Sequence, residues 1–337
     1  MVTVNFNMMI GLQGSGKSSF VQKETQRLGT LWCFSADKLR EQFPEDNNEQ
    51  IFNRYYKELD EFLKLADMNP AAITFNVYLD NTHFQPKTRR IFFDHLNTWK
   101  KKYVNTLFVV TAVILATPFE LCLQRVKQRE QATGRAIPEE VLYKYRASFG
   151  IPYHEEGFQD IKIIDGVSLQ EITSVQCDNQ KYAEMMYKMI NFQQENPHHK
   201  YTLGVHMSFT QSLVLEHQGE FNDFSNAYRA AIIHDWGKYY TKTYNADGYG
   251  IYYNHGQVGA YELLTHLELI PQDRATMYDI CRILLFVNYH MRPFDWNTEK
   301  ALNKANKEFG SALFNDLILF NKLDKEACGT DEEQIVK

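Results

Sequence analysis

The 337-residue sequence predicts an α/β domain, with a parallel sheet covered by helices, followed by an all-helical domain. Short apolar segments rich in β-branched residues alternate with helical patterns up to about residue 165, which is typical of a parallel sheet. After about residue 170 only helical spacing remains. Because the chain is also longer than one ordinary domain, we expect domains over residues 1–170 and 193–337, with a linker or connecting helix over 171–192.

The predicted strands of the first domain follow one another in a regular order. The first, over residues 2–10, leads through a glycine-rich loop into a helical pattern over residues 17–28. Four more segments are predicted to be strands: LWCFSAD at 31–37, AITFNVYLD at 72–80, LFVVTAVILA at 107–116 and FQDIKIID at 158–165. LFVVTAVILA is about half as long as a helix that spans a bilayer, and its β-branched residues favour a buried strand. We therefore expect no membrane segment.

The second domain shows helical spacing in several separate segments. They are QKYAEMMYKMINFQQ, YRAAIIHDWGKYY, VGAYELLTHLEL, MYDICRILLFVNYH and SALFNDLILFNKLDKEA. Since no strand-like segment lies between them, we predict an all-α domain.

Composition and charge narrow the class of protein. With 44% hydrophobic and 23% charged residues, the chain has an ordinary globular composition. Its five cysteines form no C-x-x-C pair, which argues against a disulfide framework, and the N-terminus has no cationic start, so we expect a cytoplasmic protein. Residues 1–168 hold 21 Lys+Arg against 20 Asp+Glu, and the remainder holds 15 against 22. Neither half would attract a polyanion strongly, so a phosphodiester substrate would have to be bound locally, at its end.

The loop GLQGSGKS matches the pattern G-x-x-x-x-G-K-[ST] between a predicted strand and a predicted helix. Gly14 and Gly16 would let the backbone curl around phosphate oxygens, Lys17 would neutralise the β- and γ-phosphates, and Ser18 would bind Mg²⁺. ATP with Mg²⁺ is therefore the expected ligand, and a glycine-rich turn without a ligand is the alternative. The predicted phosphate-binding residues are Gly11, Gly14, Ser15, Gly16, Lys17, Ser18, Ser19, Arg125 and Arg129.

Acidic and basic residues follow the predicted strands at the same edge of the sheet. Asp37 and Arg40, in SADKLR, come after the second strand. A carboxylate there can accept the proton of an attacking hydroxyl, and an arginine can bind a phosphate of the acceptor. An N-terminal helix cap with a surface ion pair is the alternative. Asp80 lies at the end of the third predicted strand. It could bind Mg²⁺ or the acceptor, and a helix cap is the alternative.

A helix is predicted to start with Thr117 as its cap and Pro118 as its first residue. In it Arg125 and Arg129 lie four residues apart and share one face. Two guanidinium groups beside a phosphate loop can form a lid over the transferring phosphoryl group. The alternative is a solvated basic face.

Together, GLQGSGKSS, SADKLR, YLDNTH and the RVKQR helix followed by GRAIPEE resemble the kinase domain of phage 5′-hydroxyl polynucleotide kinases, over about residues 5–165. The resemblance implies that Lys17 and Ser18 bind ATP and metal. It also implies that Asp37 is the general base that activates the 5′-hydroxyl and that Arg40 holds the phosphate on the 3′ side of the acceptor. The remaining implied roles are acceptor binding for Asp80 and donor-phosphate binding for Arg129, with Arg125 beside it.

The run YRAAIIHDWGKYY reads as a buried helix that carries His234, Asp235 and Lys238. Such groups are costly to bury unless they bind a cation or one another. Other residues of the kind that bind metals occur in the same half: His206, His255, His290 and Asp324.

The order H…HD…D, with NPHHKYTLGVH before it and the HDWGK motif within it, resembles the HD superfamily of metal-dependent phosphohydrolases over about residues 195–328. The resemblance implies that a first metal is held by His206, His234, Asp235 and Asp324. His255 and His290 would hold a second metal or orient the scissile phosphate, and Lys238 would neutralise a phosphate oxygen. One or two divalent ions among Mn, Fe, Co, Ni, Mg and Zn are expected. His198 and His199 are secondary candidates, and His266 is assigned to packing or the surface.

A 5′-kinase joined to a phosphohydrolase suggests the healing of RNA or DNA ends, by phosphorylation of a 5′-hydroxyl and removal of a 3′-phosphate or 2′,3′-cyclic phosphate. An NTP donor, nucleic-acid ends and a ligase acting afterwards are the expected partners. One alternative is a nucleoside or small-molecule kinase fused to an HD nucleotidase, which fits the balanced charge better and the D-x-x-R element worse. A second alternative is an ATP-gated nucleotide sensor, against which the complete ligand set argues.

Overall fold

The computed structural model describes residues 1–29, 31–69, 71–134, 136–197, 199–271 and 275–329. The chain divides into two compact units, and each is described by itself. The first comprises residues 1–142 and 156–172, and the second comprises 143–155 and the described residues from 173 onward.

The first unit is built on a mixed sheet that is mostly parallel. Its strands are β1 Val2–Ile10, β2 Trp32–Phe34, β3 Thr74–Leu79, β4 Thr106–Ala116, β5 Asp160–Asp165 and β6 Glu171–Ile172. The spatial order is β2-β3-β1-β4-β5-β6, in which β6 alone pairs antiparallel. The five predicted strands and their mostly parallel arrangement are confirmed. β1 lies between β3 and β4, so the loop that follows it opens at the carboxyl edge of the sheet, where such folds bind ligands.

Helices cover this sheet. They are α1 Lys17–Leu28, α2 Ala36–Gln42, α3 Asn48–Asp67, α4 Pro86–Lys102, α5 Phe119–Thr133 and α6 Glu139–Arg146, of which the last runs into the second unit. α3 starts with a capping box between Asn47 and Gln50. The fully buried ring of Phe6 on β1 lies 5.2 Å from the ring of Phe92 on α4 and 6.1 Å from that of Phe108 on β4. These aromatic contacts fix α4 over the centre of the sheet.

The second unit is helical, as predicted. Its helices are α7 Asn179–Ile190, α8 Leu203–Glu216, α9 Phe224–Ala231, α10 Lys238–Thr241, α11 His255–Thr265, α12 Met277–Tyr289, α13 Glu299–Phe309 and α14 Ser311–Glu326, with a hairpin of β7 Thr243–Tyr244 and β8 Gly250–Ile251. Residues 280–289 of α12 are all buried, because α9 and α11 both pack against this helix. α14 packs against α8. A helix that is mostly apolar and buried on all sides is the expected centre of such a bundle.

Residues 143–155 pack with the second unit, although we assigned them to the first domain. Their apolar side chains find their partners there: the ring of Phe149 lies 5.7 Å from that of Tyr261. The amide of Ile151 donates to Oδ1 of Asn288 at 2.9 Å, and Nδ2 of Asn288 donates to the carbonyl of Phe149 at 3.0 Å. The segment 171–192, expected to be a linker or connecting helix, contains the regular helix α7. Within the described ranges, no helix has both the length and the apolar character needed to cross a bilayer.

Candidate phosphate site and candidate metal centre

Two glycines shape the loop between β1 and α1. Gly14 has a φ of 81° and Gly16 a φ of 96°, which are conformations that residues with a Cβ rarely adopt. A Cβ on Gly14 would also lie 2.5 Å from the carbonyl oxygen of Cys122. The motif therefore needs glycine at position 14 for two separate steric reasons.

Lys17 points back into this loop. Its Nζ donates to the carbonyls of Gly11 and Leu12, each at 2.8 Å. Loss of solvent inside the loop lowers the pKa of Lys17. The ammonium group is thus held where the loop curls, and phosphate oxygens are the natural replacement for the two carbonyls.

Ser18 and Asp80 lie together. The Ser18 hydroxyl donates to Oδ2 of Asp80 at 2.8 Å, which brings the start of α1 to the end of β3. A hydroxyl oxygen and a carboxylate oxygen at this spacing are typical of a Mg²⁺ site. This contact favours the magnesium role of Asp80 over the acceptor role that the resemblance implied.

The turn that carries Asp80 is braced by a buried ion pair that the sequence did not reveal. Arg89 on α4 is fully buried and makes two 2.7 Å bonds to Glu156, while its Nη1 donates to the carbonyl of His83 at 3.1 Å. His83 has a φ of 40°, and its Nδ1 donates to the carbonyl of Met9 at 3.3 Å. Burial lowers the pKa of His83 to about 4, so the ring is neutral near pH 7.

Asp37 and Arg40 lie at the start of α2, directly after β2. Nη1 of Arg40 donates to Oδ1 of Asp37 at 2.8 Å, and Nη2 donates to Oδ1 of Asn48 at 3.2 Å. The side chains of Asp37 and Arg40 are 57% and 37% exposed to solvent. They form the surface ion pair weighed above, yet both remain accessible to an acceptor.

The two arginines of α5 differ in their surroundings. Nη1 of Arg125 donates to the carbonyls of Gly14 at 3.3 Å and Gly166 at 3.0 Å, so this residue supports the loop backbone. Arg129 lies close enough to Lys17 for its charge to lower the pKa of that lysine, and its buried Nε has no hydrogen-bond partner among the described residues. Arg129 is therefore the better placed of the two to meet a phosphate.

The start of α5 differs from the prediction by one residue. The helix begins at Phe119, with Pro118 rather than Thr117 before it. The Thr117 hydroxyl instead donates to the carbonyl of Ser15 at 2.8 Å. A residue predicted as a helix cap therefore helps to fix the phosphate loop.

In the second unit, the six predicted metal ligands come together as two groups that share one residue. The first group is His206, His234, Asp235 and Asp324, and the second is Asp235, His255 and His290. Within each group the ligand atoms lie within 4.8 Å of one another, and all six residues are buried. Five segments far apart in sequence thus contribute to one centre.

Asp235 divides its two oxygens between the groups. Oδ2 lies 3.2 Å from Nε2 of His206 and 3.5 Å from Nε2 of His234. Oδ1 lies 3.1 Å from Nε2 of His255 and 3.4 Å from Nε2 of His290. A carboxylate placed in this way can bridge two metal ions.

Three of the histidines are oriented in the same way. The Nδ1 atoms of His234, His255 and His290 donate to the carbonyls three residues earlier, at 2.7, 2.8 and 2.8 Å. A neutral imidazole with its proton on Nδ1 presents a lone pair at Nε2, and backbone carbonyls commonly orient metal-binding histidines in this way.

These lone pairs face other electron-rich atoms. Nε2 of His255 lies 3.0 Å from Nε2 of His290, and Nε2 of His234 lies 2.9 Å from Oδ1 of Asp324. Such contacts are repulsive unless a proton or a metal cation lies between the atoms. The donor set of imidazole nitrogens and carboxylate oxygens therefore fits a divalent metal better than it fits a self-sufficient polar network.

His206 supports the same conclusion. Its Nε2 lies 2.9 Å from Oδ1 of Asp324, but neither ring nitrogen has an aligned hydrogen bond. Burial opposes its charged form, but Asp235 and Asp324 outweigh burial and raise the pKa of His206 to about 9. The site thus favours a cation at neutral pH, and a metal would displace the proton.

Lys238 completes the centre. Its Nζ lies 2.7 Å from Oδ2 of Asp235, donates to Oε1 of the buried Gln194 at 3.0 Å, and lies 3.4 Å from Nε2 of His199. Burial, reinforced by this ammonium group, lowers the pKa of His199 to about 3. Gln194 was missed because a lone glutamine carries no sequence signal.

Two further histidines were considered in the sequence. His198 falls outside the described residues. His266, assigned to packing or the surface, has its Nδ1 3.6 Å from Oε1 of Glu268 and stays partly exposed.

A family model described as an AAA domain matches residues 7–152, which include the phosphate loop. Similar solved structures include a fungal RNA kinase, with TM-score 0.36 and 13% identity, covering 51% of this chain and 76% of that chain. A gluconokinase from Sinorhizobium meliloti 1021 has TM-score 0.29, 10% identity and coverage of 49% and 82%. A deoxyadenosine kinase from M. mycoides has TM-score 0.29, 18% identity and coverage of 49% and 90%. No curated protein matches the chain.

Proposed function

We propose that the chain is a two-site enzyme that heals polynucleotide ends, phosphorylating a 5′-hydroxyl in the first unit and hydrolysing a 3′-phosphate or 2′,3′-cyclic phosphate in the second. The observation that carries the proposal is the presence in one chain of two separately built clusters whose residues are suited to binding phosphate or metal. One is a phosphate loop with the Ser18–Asp80 pair, and the other is a buried His/Asp centre with Lys238 beside it.

In the first site, Asp37 accepts the proton of the 5′-hydroxyl while the hydroxyl oxygen forms a bond to the γ-phosphorus of ATP. The bond between this phosphorus and the β,γ-bridging oxygen breaks, and ADP leaves with the electron pair. Lys17 and Arg129 neutralise the charge of the transferring group, and Arg40 binds the next phosphate of the acceptor. Ser18 and Asp80 would hold Mg²⁺, which would neutralise donor phosphate charge.

In the second site, the two groups that share Asp235 would hold one or two divalent metals. A metal bound there supplies a Lewis acid and lowers the pKa of water toward neutrality. Lys238 neutralises an oxygen of the phosphate ester. The carbonyls behind His234, His255 and His290 keep the imidazoles in the tautomer that binds metal.

A nucleoside or small-molecule kinase fused to a nucleotidase is the second candidate. The balance of 21 Lys+Arg against 20 Asp+Glu over residues 1–168 favours it, because a polynucleotide gains little long-range attraction from such a surface. The two candidates differ in the acceptor that each would phosphorylate.

One RNA oligonucleotide with a 5′-hydroxyl and a 2′,3′-cyclic phosphate tests the proposal. It is incubated with γ-labelled ATP and a panel of divalent metals, using wild type, Lys17→Ala and Asp235→Ala. We expect label at the 5′ end and loss of the cyclic phosphate, with each activity absent only from its own variant. If neither end changes while nucleosides or nucleotides react, the second candidate replaces the first.

A further inference from the structure

A third group of possible ligands lies beside the proposed metal centre, and it contains sulfur. One ring nitrogen each from His199 and His206 and the Sγ of Cys328 lie within 4.8 Å of one another. The rings of the two histidines are 5.3 Å apart. His206 is also a member of the first group of the proposed metal centre, whose ligands are nitrogen and oxygen atoms. His199 and Cys328 belong to neither of that centre's two groups.

The histidines of this group have ring nitrogens without well-aligned hydrogen bonds among the described residues. His206 is 1% exposed, and neither of its ring nitrogens has an aligned hydrogen bond among the described residues. Nδ1 of His199 is likewise buried without a partner. Buried polar atoms of this kind are costly unless a ligand satisfies them.

Cys328 is positioned by the helix that carries Asp324. It follows one turn after Asp324, and its thiol donates to the Asp324 carbonyl at 3.5 Å. This weak hydrogen bond is easily given up, and a thiolate bound to a metal would gain far more. The positive charge of Lys238 opposes the binding of a cation here, because its Nζ lies 3.4 Å from Nε2 of His199. That charge is neutralised by Asp235, whose Oδ2 lies 2.7 Å from the same Nζ.

We propose that His199, His206 and Cys328 form a binding site for a soft divalent metal such as Zn²⁺ or Cd²⁺. The metal–sulfur and metal–nitrogen bonds form as the thiol proton of Cys328 and one ring proton of His206 leave to solvent. Thiolate selects thiophilic ions, whereas the carboxylate-rich neighbouring groups select harder ones. Because a neutral imidazole has one lone pair, His206 serves one metal at a time. Occupation of the soft site therefore removes His206 from the first hard group.

The test uses the full-length protein, freed of metal with a chelator and titrated with Co²⁺ and with Cd²⁺. We expect the near-ultraviolet thiolate-to-metal charge-transfer band in wild type and in Cys177→Ser, a partly buried cysteine of the same unit that serves as the matched control. Cys328→Ser should lose the band. His199→Asn should keep it with affinity weakened by at least about tenfold, since even outer-shell losses cost ~10–100-fold.

Absence of the band in wild type, or its persistence in Cys328→Ser, would overturn the proposal. Circular dichroism shows whether each variant is folded, and His199→Asn leaves every cysteine in place. The band is measured without substrate, so this test of the metal site is independent of the proposed phosphohydrolase activity. If that activity exists, Cd²⁺ should inhibit the Mn²⁺-loaded wild type and have less effect on Cys328→Ser, a consequence that rests on the proposed function.

Discussion

The phosphate site and the metal centre are built in opposite ways. The phosphate site is a contiguous loop that is shaped mainly by its backbone. The ammonium group of Lys17 donates hydrogen bonds to carbonyls of that same loop. The metal centre is assembled from buried side chains that lie far apart in sequence, and several of them face one another with lone pairs or like charge. The loop of the first site is held by its own backbone and by Lys17, whereas the facing lone pairs of the second site need a proton or a metal cation between them.

This difference predicts where each site is vulnerable. We expect the phosphate loop to lose ligand binding when a substitution prevents its backbone conformation. We expect the metal centre to lose metal binding when a substitution removes the charge that its two groups share. The substitutions below test this contrast, in order of decreasing expected effect.

Asp235→Asn should have the largest effect, because Asp235 contributes one oxygen to each group of the metal centre. We expect loss of metal from both groups and a fall in hydrolysis of more than about 100-fold, since even a lost outer-shell partner costs ~10–100-fold. Metal content and rate are measured together, with His266→Gln as the control outside both groups. Retention of a full metal complement by Asp235→Asn would mean that this carboxylate is not shared.

Gly14→Ala should damage the phosphate loop through its backbone. The positive φ costs about 1–2 kcal/mol, and the overlap with the Cys122 carbonyl adds about 1–3 kcal/mol. Gly134→Ala is the matched control, since its backbone is left-handed with a φ of 71° but a Cβ there meets nothing within 4 Å. Urea unfolding should show the larger loss for Gly14→Ala, with ATP binding lost in that variant alone. Equal losses would show that the carbonyl contact is unimportant.

The contrast also explains what the sequence could and could not predict. The strands, α1 and the phosphate loop were predictable because local periodicity and a contiguous glycine pattern dictate them. The six metal-binding candidates were recognisable from residue type and order, but the division of Asp235 between two groups depends on where five segments meet. Arg89 and Glu156 were missed because a buried ion pair between residues 67 positions apart leaves no local pattern.

The segment 143–155 shows a second limit. Its buried Phe149, Ile151 and Tyr153 look like any apolar residues of an α/β chain. Only their partners in the helical unit, such as Asn288 and Tyr261, show that they belong there. Sequence patterns predict that a residue is buried more readily than they predict the unit in which it is buried.

His83 should give the first unit a pH-dependent stability that does not involve a metal. Its folded-state pKa of about 4 lies below the ordinary value of 6.5, so the unfolded chain binds a proton first as pH falls. The stability of this unit should therefore decrease between about pH 6.5 and pH 4, by up to about 3 kcal/mol. Asn tolerates the φ of 40°, so His83→Asn should flatten this dependence. The measurement is urea unfolding at several pH values. The transition that ATP with Mg²⁺ shifts is assigned to the first unit. An unchanged slope in His83→Asn would assign the pH dependence to other groups.

Arg40→Gln should have the smallest effect on stability and a selective effect on function. The Asp37–Arg40 pair is solvent-exposed, and such pairs contribute about 0–1 kcal/mol, so the unfolding midpoint should barely move. If Arg40 binds the phosphate next to the 5′-hydroxyl, its loss should raise the KM for an oligonucleotide by about tenfold, as expected for a charge-assisted hydrogen bond of about 1.5 kcal/mol. A nucleoside acceptor has no such phosphate, so its KM should be unchanged. Arg54→Gln is the matched control, because Arg54 also forms an exposed ion pair, with Asp46. Equal losses for both acceptors would remove the role of Arg40 in recognising a polynucleotide and would favour the nucleoside kinase.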